Sequence, residues 1–383
     1  PWRRGRGPAV AARARARAGR PCARGTPVGR GPRSVRTPSR GGPQLPPPPY
    51  PRRAANAAVG ALGTAMALAV PAQAAIFWAN YGSRGSGTTI GRAENDGSGA
   101  NQSFITGAAG PVGLATDARF VYWSNTDDGS NTGTRIGRAN LDGTGVNQAF
   151  IPNADGSHGI AVNGQFIYWA RRGVNGFGTA IGRASIDGSG VNTAFITGGS
   201  GPWGVAITDR YIYWTNRGQA GASPCGGTIG RANLDGTGVN QSFITGADGP
   251  TGITVQGPYV YWSNGCGNTI GRASLDGSGV NQAIITGAAQ PSDLRSDGTY
   301  LYWGNFASPV SVGGGTTIGR ARLDGTEVSQ SFITGASSPT GVAVTGGAPV
   351  TPVVRCMVPR VVGRSLPAAR RALTAARCAT GTV

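Results

Sequence analysis

The stretch 252–286, GITVQGPYVYWSNGCGNTIGRASLDGSGVNQAIIT, contains four short apolar or alternating runs separated by Gly-rich turns. The runs are 252–255, 259–262, 269–275 and 281–286. Each has the length of one β-strand, and helix signals are absent. An Asp-Gly pair separates the third and fourth runs, where a tight turn needs the positive φ that Gly adopts readily. The stretch therefore predicts a meander of four strands.

The same unit occurs six times between Ile76 and Gly346. Its copies begin on aromatic-Trp pairs: Phe77-Trp78, Tyr122-Trp123, Tyr168-Trp169, Tyr213-Trp214, Tyr261-Trp262 and Tyr302-Trp303. Each copy continues with Ile-Gly-Arg-Ala, an Asp-Gly pair and a fourth strand, and a Pro-x-Gly usually precedes the next unit. Repeats of about 45 residues are typical of propellers and other arrays.

The two ends of the repeat array complement each other. The first unit starts at its second strand, 76–78, and the last unit is followed by an extra first strand, 341–344. Pairing these strands would close a ring and remove the open sheet edges. We therefore predict an all-β fold, a six-bladed β-propeller whose N- and C-terminal strands share one blade. An open solenoid is the alternative.

The repeat motif also carries a family resemblance over about 270 residues. Tyr-Trp-[Ser/Thr/Ala]-Asn followed by Ile-Gly-Arg-Ala-x-Leu-Asp-Gly resembles the YWTD repeats (class B) of low-density-lipoprotein-receptor propellers. The resemblance implies the same fold. The family's fourth-position Asp is replaced by Arg171 in one copy and by Asn in the others, at Asn80, Asn125, Asn216, Asn264 and Asn305. Receptor-like ligands therefore do not follow from it.

Positive charge is concentrated at the two ends of the 383-residue chain, whose net charge is +19. Residues 1–53 hold 14 Arg and residues 347–383 hold 6 Arg, without any acidic residue. Between them, residues 76–346 are nearly neutral, with 15 Arg against 16 Asp and Glu. The charge therefore does not indicate a nucleic-acid-binding propeller.

The N-terminal part predicts export. Residues 1–51 are rich in Arg and Pro, and we expect a disordered segment that is non-native or, alternatively, a basic arm. Residues 52–74 have the features of a signal peptide: two Arg, an apolar stretch at 54–70 and an Ala-Gln-Ala site. Cleavage is expected after Ala74. An uncleaved anchor is the alternative.

The C-terminal part has a different pattern. After a linker at 347–355, residues 356–383 resemble the first half of a PASTA domain, with Ser365 and Pro367 at the start of a predicted helix. We expect this partial α+β segment to associate with peptidoglycan, as the resemblance implies. A short basic tail helix is the alternative. The opening at Pro1 and the half domain lead us to expect a piece of a longer protein.

The cysteines suggest two disulfides. Cys225 and Cys266 lie in equivalent loops of adjacent blades, which are neighbours in a propeller, so we predict that they pair. Within the PASTA-like piece, Cys356 would pair with Cys378. Without a Cys-x-x-Cys and with a single His, the spacing does not suit zinc.

Few residues suggest catalysis. His158 is the only His and Lys is absent, which removes most bases and nucleophiles. The Arg and Asp four residues apart in each repeat, such as Arg138 and Asp142, are interpreted as structural ion pairs, and the repeat Trp residues as core. Asp127 and its neighbours up to residue 131 offer oxygen ligands for Ca²⁺, but a polar loop explains them equally well.

Differences between the copies suggest a binding face. In a four-stranded meander, the loops from strand four to one and from strand two to three lie on the same face, and both vary. The x residues of Pro-x-Gly should surround the channel mouth: Val112, His158, Trp203, Thr251, Ser292 and Thr340. Longer loops nearby add Tyr81, Asp127, Arg171, Arg172, Phe177 and Phe306. Aromatic and Arg side chains suit recognition. Plain loop variation is the alternative.

Together these features predict an exported bacterial protein, secreted or attached to the cell wall, that binds and does not catalyse. The propeller would bind a protein or glycan, and the PASTA-like segment peptidoglycan. We expect a monomer without nucleic acid or cofactor, Ca²⁺ being weakly indicated. Alternatives are the extracellular sensor region of a larger membrane protein such as a kinase, and a propeller lyase or hydrolase. The enzyme would require a polar channel cluster with perturbed ionisation.

Overall fold

The computed structural model describes residues 74–126, 135–173, 178–218, 225–307 and 314–346. In these ranges the chain forms 24 strands and one 3-10 turn, Ser83–Gly85. No helix among them is long and apolar enough to cross a membrane. The predicted N-terminal segment, signal peptide up to residue 73, linker and PASTA-like segment lie outside the described residues and stay predictions.

The first three blades are antiparallel sheets of four strands, numbered along the chain and ordered from the channel outward. Blade 1 consists of β24 (Pro339–Val344), β1 (Ala75–Asn80), β2 (Thr89–Glu94) and β3 (Asn101–Thr106). Blade 2 consists of β4 (Pro111–Thr116), β5 (Phe120–Asn125), β6 (Arg135–Asn140) and β7 (Asn147–Ile151). Blade 3 consists of β8 (Ser157–Val162), β9 (Phe166–Arg171), β10 (Ala180–Ser185) and β11 (Asn192–Ile196).

The other three blades repeat this arrangement. Blade 4 consists of β12 (Pro202–Ile207), β13 (Tyr211–Asn216), β14 (Gly226–Asn233) and β15 (Asn240–Asp248). Blade 5 consists of β16 (Pro250–Gln256), β17 (Tyr259–Asn264), β18 (Thr269–Ser274) and β19 (Asn281–Ile285). Blade 6 consists of β20 (Pro291–Ser296), β21 (Tyr300–Asn305), β22 (Thr317–Arg322) and β23 (Ser329–Thr334).

Blade 1 closes the ring with strands from both ends of the array. β24 pairs with β1 so that Ile76 lies opposite Val344 and Trp78 opposite Val342. The innermost strands of neighbouring blades contact each other all the way around, from β4 through β24 and back to β4. The predicted six-bladed propeller with terminal strand closure is therefore confirmed.

The core lies between neighbouring blades. Tyr122 and Ile136 of blade 2, for example, pack against Ile160 and Trp169 of blade 3. All six repeat Trp residues are fully buried, as predicted. A Cβ atom on Gly182 would overlap the Trp169 indole, which lies across it in the same blade. The Gly of Ile-Gly-Arg-Ala therefore makes room for the Trp of its own blade.

In blades 1, 2, 4 and 5 a hydrogen-bond chain links the repeat Trp to the preceding blade. Trp123 Nε1 donates to Gln148 Oε1 over 3.1 Å, and Gln148 Nε2 donates to the Thr106 carbonyl over 3.1 Å. Asn125 donates to the Gln148 carbonyl and accepts from the Ala109 N–H, which fixes the loop before β4. The Asn at this repeat position thus ties the outer strand to the loop on the channel face.

Blade 3 lacks this chain. Arg171 replaces the Asn and pairs with Asp155 in the loop before β8. Thr193 replaces the Gln, and the buried Trp169 Nε1 has no hydrogen-bond partner.

The predicted Arg-Asp pairs are not ion pairs. β6 ends at Asn140, so Asp142 lies in the turn, where it accepts the N–H and hydroxyl of Thr144. Arg138 instead lies between two rings, with Cζ 4.2 Å from the Phe120 centroid and 3.8 Å from the Phe150 centroid. Within the described ranges, no Arg pairs with the Asp four positions later. Cation-π attraction between strands takes the place of the expected salt bridges.

Candidate functional site

Two repeat positions place their side chains around one mouth of the central channel. The first is the second residue of each innermost strand, occupied by Val112, His158, Trp203, Thr251, Ser292 and Thr340. The second is the residue that directly follows each second strand, occupied by Tyr81, Thr126, Arg172, Arg217, Gly265 and Phe306. Side chains from all six blades thus meet where the inner strands begin.

All of these residues except Thr126 line a cavity of about 330 Å³. Nine residues that the sequence assigned to the binding face are in its wall: Tyr81, Val112, His158, Arg172, Trp203, Thr251, Ser292, Phe306 and Thr340. Arg171 is not, because it points into its ion pair with Asp155. Asp127 and Phe177 lie outside the described residues. The x residues are the second residues of the inner strands.

Sequence reasoning missed four residues of this wall, namely Arg217, Gly265, Gln290 and Pro291. Arg217 was detectable, because it occupies the same repeat position as Arg172. Gln290 is the last residue of the loop that leads into β20, and Pro291 is the first residue of that strand, on the face where the variable loops were expected.

Trp203 is the platform of the site. The Cζ atoms of Arg172 and Arg217 lie 4.3 Å and 4.5 Å from its ring centroid. The His158 ring contacts it at 4.2 Å between centroids, with an interplanar angle of 57°. Among the residues that the structure describes, no carboxylate pairs with either guanidinium. One indole therefore holds two cationic groups side by side.

Burial and mutual repulsion perturb the ionisation of this cluster. Burial and the neighbouring Arg217 charge lower the pKa of Arg172 to about 10, so the side chain stays cationic at neutral pH. Burial also lowers the pKa of Arg217. For His158, burial and then both Arg charges hold the pKa well below 6.5, so its imidazole is neutral. The only His of the chain is thus a neutral group next to two cations.

The remaining walls are apolar or already hydrogen-bonded. Tyr81 and Phe306 contact each other with ring centroids 6.2 Å apart. Burial raises the pKa of Tyr81, which keeps its hydroxyl protonated. The hydroxyls of Thr251, Ser292 and Thr340 donate to carbonyls of the following inner strand, those of Pro291, Pro339 and Pro111. The arginines therefore provide the charge of the cavity.

Arg295 crosses the channel further along the inner strands. Its guanidinium donates to Asp293 and to the carbonyls of Ile253, Leu114 and Ile160, which belong to three other blades. Sequence reasoning missed this pair too. Its signal was the sequence Pro-Ser-Asp in blade 6, where four of the other five blades have Pro-x-Gly and blade 3 has Ser-His-Gly.

The Cys225–Cys266 disulfide joins two loops of the same face. Cys225 ends the loop after Arg217, and Cys266 follows the wall residue Gly265. The predicted pairing is confirmed, whereas Cys356 and Cys378 lie outside the described residues. Asp248 lies near both sulfurs, and this trio is the one group of possible metal ligands found within the described ranges. The residues suggested for Ca²⁺, 127–131, are not among those described.

Comparisons with known proteins support the fold. No protein-family model matches the chain, and no curated protein matches it either. A chain in the crystal structure of the nidogen/laminin complex is similar, with a TM-score of 0.56 and 18% identity over 71% of this chain and 98% of that one. The virginiamycin B lyase from Staphylococcus aureus aligns with 23% identity over 68% of this chain and 82% of its own, at a TM-score of 0.45. A streptogramin B lyase covers 62% of this chain and 88% of its own, with 19% identity and a TM-score of 0.41. At these identities the similarity concerns the propeller fold alone.

Proposed function

We propose that this protein is a binding protein that holds its ligand in the cavity at the channel mouth. The observation that carries this proposal is that Arg172 and Arg217 both contact Trp203 without a carboxylate partner among the described residues. Aromatic and Arg side chains clustered in a cavity are typical of recognition sites. The ligand is a protein or glycan of the cell envelope, in line with the export signal of the sequence.

The binding role is tested with soluble fragments of purified peptidoglycan, which include glycan strands and peptides. The full chain, its Trp203→Ala variant and an Arg119→Ala control on the exposed turn between β4 and β5 are compared for retention of the fragments. We expect full retention by the parent chain and the control, and weaker retention with Trp203→Ala, where only the PASTA-like segment would still bind. Equal retention by all three would refute the cavity as the site of binding.

The location outside the cell, at the wall, rests on the two terminal segments. The strand β1 begins at Ala75, directly after the expected cleavage site, so removal of the signal leaves blade 1 complete. Mass spectrometry of the exported protein should find Ala75 as its first residue. Binding to insoluble peptidoglycan should be weaker when the chain ends at Gly346, and undiminished binding by the shortened chain would contradict a role of the PASTA-like segment.

A propeller lyase or hydrolase is the second candidate, and one observation favours it. The cluster of His158, Arg172 and Arg217 has the perturbed ionisation that such an enzyme requires, although the burial and the two cations that lower the pKa of His158 also make its imidazole a weak base. No carboxylate in the described ranges is hydrogen-bonded to His158, so a triad is not formed there. An enzyme would change the mass of retained fragments, and His158→Gln would abolish that change while leaving retention intact.

A further inference from the structure

We infer that the cavity binds an organic oxyanion, a carboxylate or phosphate group joined to an apolar body, with the anionic group on Arg172 and Arg217. The inference rests on the proposed binding function and names the chemistry that the same site recognises. It follows from three features of the cavity: its uncompensated positive charge, the guanidinium N–H groups without acceptors, and the presence of both a charged and an aromatic part in its wall.

The charge of the wall is uncompensated. Among the described residues of the lining, Arg172 and Arg217 alone are ionised, since His158 is neutral and no Asp or Glu takes part. Two acidic residues near the inner strands form ion pairs with other arginines, Asp155 with Arg171 and Asp293 with Arg295. Two like charges in a partly buried site repel each other, and an anion placed between them would relieve both repulsion and desolvation.

The guanidinium groups are also free to donate. Both lie against the Trp203 indole, and in the described part of the chain neither Arg172 nor Arg217 donates a hydrogen bond. A guanidinium that stacks through its face keeps its N–H edge for a ligand, and this edge matches carboxylate or phosphate oxygens in a bidentate manner. The hydroxyls of Thr251, Ser292 and Thr340 already donate to carbonyls, so the charged donors that remain for a ligand's oxygens are the two arginines.

The aromatic part of the cavity wall suits the rest of the ligand. Tyr81 and Phe306 form an aromatic wall beside Val112, without a charged group among them. A ligand with one anionic end and an apolar or aromatic body would place both parts in matching surroundings. The volume of about 330 Å³ is at the small end for such organic ligands.

The test uses four small probes: benzoate and phenyl phosphate as anions, benzamide as the neutral analogue, and inorganic phosphate without an apolar body. Affinities for the full chain are measured by calorimetry at low salt. We expect benzoate or phenyl phosphate to bind at least tenfold more tightly than benzamide, since charged hydrogen bonds are replaced by neutral ones. The stronger of the two anions identifies the source of the oxyanion. Inorganic phosphate should bind more weakly than phenyl phosphate, and equal binding would overturn the apolar part of the inference.

Four variants locate the effect. Arg172→Met and Arg217→Met should each weaken anion binding at least tenfold and leave benzamide unchanged. Arg210→Met, which removes the same charge from the exposed turn between β12 and β13, should have little effect. Melting temperatures close to that of the parent chain show that the variants are folded, and Arg172→Lys should retain part of the affinity because it keeps the charge.

The outcomes separate the inference from the proposed function. If all probes bind equally and Trp203→Ala abolishes binding, the cavity is a binding site but not an anion site. If substitution of Arg172, Arg217 or Trp203 changes the affinity of none of the probes, both proposals fail. The double variant Asp127→Asn with Asp128→Asn should change anion affinity less than twofold, and a tenfold increase would show that these carboxylates already occupy the arginines.

Discussion

Arginine occupies the central channel at two levels, and the surroundings of the charge differ completely between them. In the middle of the channel, Arg295 is paired with the buried Asp293 and donates to carbonyls of its own and three other blades. At the mouth, Arg172 and Arg217 lie on Trp203 without a carboxylate partner among the described residues. The guanidinium of Arg295 donates hydrogen bonds to protein acceptors, whereas those of Arg172 and Arg217 remain available to a ligand.

This difference separates a structural charge from a functional one. A buried charge contributes to a fold only when its partners satisfy it, because its removal from water is costly. Arg295 meets this condition and ties four inner strands together. The mouth arginines do not meet it, so their arrangement is better explained by a ligand than by folding. Substitutions at the two levels should therefore have opposite effects on stability and binding.

The largest effect is expected from Arg295→Ala. The substitution removes the hydrogen bonds between blades and leaves Asp293 buried without its cation. Burial raises the pKa of Asp293, and the charge of Arg295 opposes this rise. Breaking a buried ion pair on one side costs about 3–5 kcal/mol of unfolding free energy. Urea unfolding followed by Trp fluorescence measures the loss.

The matched control restores the repeat pattern. Blade 2 has Gly113 and Ala115 where blade 6 has Asp293 and Arg295. The double variant Asp293→Gly with Arg295→Ala should recover most of the stability, because it buries no unpaired charge. A double variant as unstable as Arg295→Ala would show that the lost hydrogen bonds, and not the carboxylate, cause the loss.

The double variant Arg172→Met with Arg217→Met should unfold with nearly the same free energy as the parent chain. Each cation-π contact is worth about 0.5–1 kcal/mol, but its loss is offset by relief of desolvation and of repulsion between the two charges. We expect a net change within about 0.5 kcal/mol, the usual range for substitutions outside a structural network. A loss above about 2 kcal/mol in the same urea experiment would mean that the mouth arginines hold the fold.

Much of this architecture could be predicted from the sequence, because each blade is specified locally and then repeated. The strand pattern, the buried Trp and the ring closure all follow from periodicity. The role of Arg295 could not be read in this way, since its acceptors in the other blades are at least 42 residues away along the chain. The sequence shows only that Asp293 interrupts Pro-x-Gly. The Arg-Asp pairs were predicted wrongly because the aromatic partners of each Arg lie on neighbouring strands and not on its own.

Thr193→Gln tests a buried hydrogen-bond donor in the core that has no acceptor, the Trp169 Nε1–H. In blades 1, 2, 4 and 5 a Gln accepts from the repeat Trp, whereas Trp169 Nε1 in blade 3 is buried without an acceptor. Supplying the acceptor should raise the unfolding free energy by about 0.5–1.5 kcal/mol. Thr193→Val, which offers no acceptor, is the control, and equal stability of both variants would refute the assignment. Ligand binding should be unaffected, unlike after changes at the mouth.

The smallest effects concern the six exposed turns outside the channel, whose carboxylates accept from Ser or Thr two residues later. They are Asp96, Asp142, Asp187, Asp235, Asp276 and Asp324. Side-chain and then backbone hydrogen bonds lower the pKa of each. A lowered folded-state pKa stabilises the fold fully above the unfolded-state pKa of about 3.9, and this contribution is lost as pH falls through the folded-state value.

The unfolding free energy should therefore be insensitive to these groups above about pH 5 and decrease below about pH 4. Asn keeps the acceptor oxygen and suits the turn but does not titrate. Replacing Asp96, Asp142 and Asp187 by Asn should make the acid decrease shallower, with little change at pH 7, in urea titrations at a series of pH values. An unchanged slope would mean that other carboxylates dominate acid unfolding. Asp293 would not be one of them, because burial raises its folded-state pKa, and protonation of such a group raises the unfolding free energy as pH falls.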